Sequence, residues 1–79
     1  MLPVDVVDYR KIMKDLRVDS DLTQQDVADV LGTSQTMYAR YERGANELPI
    51  RHLLKLCEFY QVTSDYMLGR DREKTSGRR

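Results

Sequence analysis

Residues 23–44 read TQQDVADVLGTSQTMYARYERG, and this stretch decides the fold. Thr23 carries a hydroxyl suited to capping the open amides of a helix start, and Asp26 falls in the first turn, where the helix dipole favours an acid. Val27, Ala28 and Leu31 follow at helical spacing, and Gly32 best tolerates the left-handed conformation that closes a helix. Ser34 repeats the capping signal, and Gln35 to Arg43 then runs into Gly44, a second terminator. The stretch is two short helices joined by Gly32-Thr33-Ser34, the turn length of two helices crossing at a steep angle. Neither helix is long enough to stand alone, so both need a body to pack on.

The flanking sequence supplies that body. Upstream, Tyr9, Ile12, Met13 and Leu16 fall at i, i+3, i+4 and i+7, one stripe of a helix from about Asp8 to Asp19. Downstream, Pro49 fits the first turn of a fourth helix whose apolar face is read as Ile50, Leu53, Leu54, Cys57 and Tyr60. Val62, the cap candidate Thr63 and the run Asp65-Tyr66-Met67-Leu68 before Gly69 then read as a last helix of one to two turns. No strand alternation, repeat or hairpin signal occurs, so the chain reads as all-α, five helices in one compact domain over 1–69. Residues 70–79 hold no apolar side chain and read as a basic tail, disordered in isolation.

Composition bounds the function. At 79 residues there is room for one small core, which buries only about 60% of the surface the unfolded chain exposes. One third of the residues are charged, and no uninterrupted apolar run exceeds three residues, far below the ~18 residues of a membrane span. The N-terminus has no basic region followed by a long apolar one, so no secretory signal is read and the expected compartment is the cytoplasm. A single cysteine, Cys57, forms no internal disulfide, and His52 has no partner at metal-ligand spacing, so neither a metal nor a cofactor is expected. Cys57 on an apolar helix face reads as a small buried hydrophobe. No nucleophile and base pair suggests an enzyme. Net charge is zero, yet residues 1–69 carry eight basic against eleven acidic groups and the tail carries the compensating excess. Binding to phosphates depends on which face holds the cations, so the total leaves a nucleic-acid partner open.

The helix over 35–43 has two faces. Advancing about 100° per residue, Gln35, Ala39, Arg43, Thr36 and Arg40 span one arc, while Met37, Tyr41 and Tyr38 lie opposite. The first arc has the chemistry of a major-groove reader: Gln pairs bidentately with adenine, Arg with guanine, and a Thr methyl packs on the thymine methyl. A solvated polar helix face has the same composition, so the arc alone leaves both readings open.

The wider pattern resembles the Xre/Cro type of helix-turn-helix domain, the family of phage repressors and many small bacterial regulators. The resemblance runs from Tyr9 to Gly69 and rests on Leu22-Thr23-Gln24, Val27-Ala28 with Leu31-Gly32, Ser34, Tyr41-Glu42-Arg43-Gly44, Leu53-Leu54-Lys55-Leu56, and Val62-Thr63 with Asp65-Tyr66 and Leu68-Gly69. It implies a lambda-repressor-like fold and a DNA-binding transcriptional regulator, a repressor acting by occupancy of a palindromic operator as a homodimer. It further implies that Gln24 holds a phosphate, that Gln35, Thr36 and Arg40 reach bases or the adjoining backbone, that Arg43 meets a phosphate, and that Arg17 pairs with Glu42. Asp21 stands where the family often has glycine, which implies a left-handed backbone there; Ser64 occupies a site usually apolar, and Pro49 comes five residues after Gly44 instead of the frequent four. Tyr60, Tyr66 and Met67 offer more apolar area than so small a core absorbs and are the expected dimer surface. The same fold also serves protein-interaction modules, including antitoxins that bind a toxin, and the sequence leaves that alternative standing.

Overall fold

The computed structural model describes residues 9–70. The expected helix start at Asp8 and the tail at 71–79 lie outside the described residues. Five helices follow one another: α1 (Tyr9–Asp19), α2 (Gln24–Leu31), α3 (Gln35–Arg43), α4 (Ile50–Tyr60) and α5 (Ser64–Met67). No strand occurs among the described residues.

The starts and stops have local causes. Thr23 Oγ1 accepts from the Asp26 amide at 3.0 Å, and Asp26 Oδ2 accepts from the Thr23 amide at 2.9 Å. Asp26 therefore closes a reciprocal capping box, a stronger role than its place in the helix dipole alone gives it. Gly32 closes α2 at φ 74° and Gly44 closes α3 at φ 83°, values at which a Cβ is strained. At Gly44 a Cβ would also meet the Arg10 guanidinium, so this glycine lets α1 approach the end of α3. Two side-chain-bearing residues take the same left-handed form: Asp21 at φ 59° after α1, and Gln61 at φ 60° after α4.

The core draws on every helix. Met13 and Leu16 from α1, Val27, Ala28 and Leu31 from α2, Tyr38 and Tyr41 from α3, Leu56 and Cys57 from α4, Val62, and Met67 from α5 form one buried cluster. Met13, Val27, Leu56 and Met67, all fully buried, each contribute about 1.5–3 kcal/mol through the apolar area they remove from water. Short α2 and α3 survive because their apolar sides are fastened to this common body.

Two expectations are corrected on α4. Ile50 and Leu54 do not face inward: they are 73% and 56% exposed. The helix instead turns His52, Leu56 and Cys57 into the protein, with Leu53 and Tyr60 half-buried beside them. His52 meets the Tyr41 ring edge-on at 5.8 Å, and an aromatic contact of this kind is invisible to a reading that counts only apolar residues. Pro49 precedes the first helical residue, as the cap position of α4, whereas Thr63 caps α5 as expected, its Oγ1 accepting from the Tyr66 amide at 3.0 Å.

Candidate nucleic-acid interface

The outward side of α3 is built by fastening its inward side. Ser34 Oγ accepts from the Met37 amide at 3.0 Å and fixes the helix start. Tyr38 and Tyr41 are buried, which leaves Gln35, Thr36, Arg40 and Arg43 exposed and Ala39 half-buried between them. The five residues of the expected reading arc thus share one solvent-facing surface.

Behind that surface sits Glu42. Its Oε2 accepts from Arg17 Nε at 2.7 Å and from the Tyr38 hydroxyl at 2.7 Å. Its Oε1 accepts from Arg17 Nη2 and from Gln24 Nε2, both at 3.1 Å. The paired side chains are only 13% and 6% exposed, and Arg17 Nη1 also donates to the Leu22 carbonyl at 3.0 Å. Burial pushes the Glu42 carboxyl up, but the hydrogen bonds from Arg17, Tyr38 and Gln24 outweigh it and hold the group below the usual carboxylate range. Tyr38 moves the other way: burial first, and Glu42 next, raise its hydroxyl well above the ordinary tyrosine value.

This charge sets the direction of a side-chain relay. An ionised carboxylate can only accept, so the Gln24 amide must turn its NH2 to Glu42 and its oxygen away. That oxygen, Oε1, accepts from Gln35 Nε2 at 2.7 Å. Gln35 is left with its own carbonyl oxygen and one N–H free, the acceptor and donor that a bidentate contact to adenine requires. Gln24 and Gln35 are thereby joined before any ligand arrives. The sequence offered each residue singly; their union depends on the angle between α2 and α3, which no spacing rule gives.

Further contacts tie down the far end of α3. Arg10 Nη1 donates to the Arg43 carbonyl at 3.4 Å, and Arg40 Nη1 donates to Asn46 Oδ1 at 3.3 Å. Neither Arg10 nor Asn46 was legible as a neighbour of this surface. Arg10 is 33 residues away in sequence, whereas Asn46 carried a usable hint in its position just past the terminator Gly44.

Comparison with known proteins settles the family. The helix-turn-helix family model (HTH_3) matches residues 13–67, which takes in most of α1, all of α2 to α4 and α5. The chain belongs to the helix-turn-helix family. It is 38% identical over 50 residues to the cryptic phage CTXphi transcriptional repressor RstR of Vibrio cholerae, covering 63% of this chain and 45% of that protein. It is 34% identical over 61 residues to the HTH-type transcriptional regulator ImmR of Bacillus subtilis, covering 77% of this chain and 48% of that one. The chain therefore spans about half the length of these curated relatives. In fold it is similar to the P22 c2 repressor, solved in complex with a synthetic operator, at a TM-score of 0.73 and 23% identity over 82% of this chain and 98% of that one. A transcriptional regulator from Listeria innocua superposes at a TM-score of 0.77 with 18% identity, over 89% of this chain and 64% of that one. These two likenesses agree with the all-α, five-helix architecture read from the sequence.

Within this helix-turn-helix frame, the expected dimer surface needs correction. Met67 is fully buried, because α5 turns it into the core, and it offers nothing to a partner. Tyr60 and Tyr66 are half-buried. Tyr60 packs edge-on against Phe59 at 5.0 Å, and its buried hydroxyl has no hydrogen-bond partner; burial raises that hydroxyl to about 12. The exposed large apolar side chains among the described residues are Val18, Ile50, Leu54 and Phe59; Ile50 and Leu54 are the most exposed, and Ile50 borders a groove of about 300 Å³ lined also by Tyr9, Glu47, Leu48, Leu53 and Leu68. Among the described residues, no three His, Cys, Asp or Glu side chains come together to hold a metal ion, and no helix is long and apolar enough to cross a membrane.

Proposed function

We propose that this chain is a sequence-specific DNA-binding repressor that lays α3 in the major groove. The observation that carries the reading is the relay from Arg17 through Glu42 and Gln24 to Gln35, which presents an oriented amide on the exposed side of a rigidly held helix. A merely solvated face would not need its glutamine positioned by a buried ion pair. Gln35 and Thr36 read base edges at the start of α3, Arg40 reads a guanine farther along, Arg43 holds a phosphate, and the Gln24 end of α2 lies against the backbone. The activity is binding, not catalysis, and the compartment is the cytoplasm.

The unit on DNA is a homodimer. One short helix and a few phosphate contacts bind weakly, whereas two-fold pairing sets two reading helices about 34 Å apart on half-sites of an inverted repeat. Its surface is the exposed side of α4 at Ile50 and Leu54, in place of Met67. The names of the relatives, a phage repressor and a transcriptional regulator, support this reading. The deciding experiment is selection of bound duplexes from a random-sequence pool by the purified chain, followed by a gel shift with the selected duplex. Saturable binding that resists non-specific competitor, on a motif with inverted symmetry, is expected. A chain that enriches no motif does not have this function.

A further inference from the structure

We infer that Asn46, in the loop between α3 and α4, is a positioning residue that aims the Arg40 guanidinium and thereby sets base preference at one operator position. The inference rests on the proposed DNA reading and extends it to a residue outside the recognition helix.

The placement follows from how α3 ends. Gly44 takes the left-handed turn, and the chain folds back so that the Ala45 and Asn46 amides both donate to the Arg40 carbonyl, at 2.9 and 3.4 Å. This cap delivers the Asn46 side chain to Arg40 itself, where Oδ1 accepts from Nη1 at 3.3 Å. Asn46 is half-buried, while Arg40 is exposed. A half-buried loop residue thus holds the end of a long side chain that would otherwise sample many rotamers. Fixing those rotamers before binding removes an ordering cost equivalent to roughly threefold to tenfold in affinity. One guanidinium N–H is used on Asn46, and the remaining donors of the planar fork suffice for a bidentate contact to O6 and N7 of guanine. A guanidinium carries five N–H donors, so one can stay on Asn46 Oδ1 while two others meet the acceptors of the base. The loop therefore restrains the fork without blocking it.

Operator duplexes from the random-pool selection, each with one base pair replaced, separate this role from others in fluorescence anisotropy titrations. Asn46→Ala is expected to lower discrimination roughly threefold to tenfold at the single position where Arg40→Ala also lowers it, leaving the other positions and the salt slope unchanged. Asn46→Asp keeps the acceptor oxygen, so it is expected to retain the preference while weakening all duplexes alike through its added charge. The Arg40→Ala/Asn46→Ala double variant should be no less discriminating than Arg40→Ala. Unchanged discrimination in Asn46→Ala, or an equal loss at every position with no recovery in Asn46→Asp, overturns the inference. Failure of the wild-type chain to select any motif would overturn the DNA reading instead.

Discussion

Arg17 and Glu42 face each other across α1 and α3 in a two-point contact, Nε to Oε2 at 2.7 Å and Nη2 to Oε1 at 3.1 Å. The arrangement gives each carboxylate oxygen its own guanidinium donor, the bidentate contact in which such pairs are strongest. Both side chains are largely buried, so the pair cannot be treated as a solvent-screened surface bridge.

Removing one member strands the other. Arg17→Met is expected to cost about 3 kcal/mol in urea unfolding, and Glu42→Ala a similar amount. The double variant should cost less than the sum of the two, giving a coupling energy above about 1 kcal/mol. Additive costs would show that the two groups do not act on one another.

Acid should act in two stages. His52 has its pKa lowered from the ordinary 6.5, by burial first and Arg51 next, so below 6.5 the unfolded chain takes up that proton more readily than the folded one. Its contribution is complete above 6.5 and is lost as pH falls toward the folded value. Glu42 is likewise held below 4.5, so its contribution is complete above 4.5 and is lost as pH falls through its folded value. Melting temperatures from pH 8 to 3 should fall in both windows, with His52→Gln flattening the first and Glu42→Gln the second. A Glu42→Gln curve parallel to wild type below 4.5 would contradict the assignment.

Two tyrosines near this pair, buried Tyr38 and half-buried Tyr60, should respond oppositely to loss of a hydroxyl. Tyr38→Phe removes a 2.7 Å hydrogen bond to Glu42 and is expected to destabilise by about 1.5–3 kcal/mol. Tyr60→Phe removes a buried hydroxyl that has no partner, and stability should hold or rise. Urea midpoints of the two variants decide the matter; equal losses would mean that the Tyr60 hydroxyl is satisfied in solution.

On DNA, Gln35→Ala and Arg40→Ala should each lose about 1–3 kcal/mol of affinity for the selected duplex without lowering the melting temperature. Arg43→Ala should weaken binding nearly uniformly across sequences and reduce the salt slope by about one. A Gln35→Ala/Arg40→Ala variant that binds like wild type removes α3 from the interface.

The proposed dimer surface is tested by charge. Ile50→Glu/Leu54→Glu places two acids on exposed positions of α4, so the fold should hold while cooperative occupancy of a palindrome disappears. Sedimentation with the duplex should then give one chain per site. Two chains per site in the variant would move the dimer contact elsewhere.

The helix-turn-helix segment was legible because its punctuation is local. Thr23, Gly32, Ser34 and Gly44 each act on the backbone within one turn, and the structure starts or closes a helix at each of them. The left-handed Asp21 was carried by the family resemblance and not by any residue pattern, while the left-handed Gln61 gave no sign, since its side chain is not one that favours that conformation.

What one chain segment could not show is how helices face one another. Counting apolar residues put Ile50 and Leu54 inward and Met67 outward, whereas packing against Tyr41 rotates α4 about His52, and α5 closes the core with Met67. The reading surface divides in the same way. Its polar arc follows from the 3.6-residue period of α3 alone, but the orientation of Gln35 is decided by Glu42, through Gln24, and Glu42 is decided by Arg17 on α1. Periodicity is set by bonds between near neighbours in the chain, so sequence determines it; the aim of a side chain depends on donors and acceptors brought together from three helices, and only the tertiary structure fixes that.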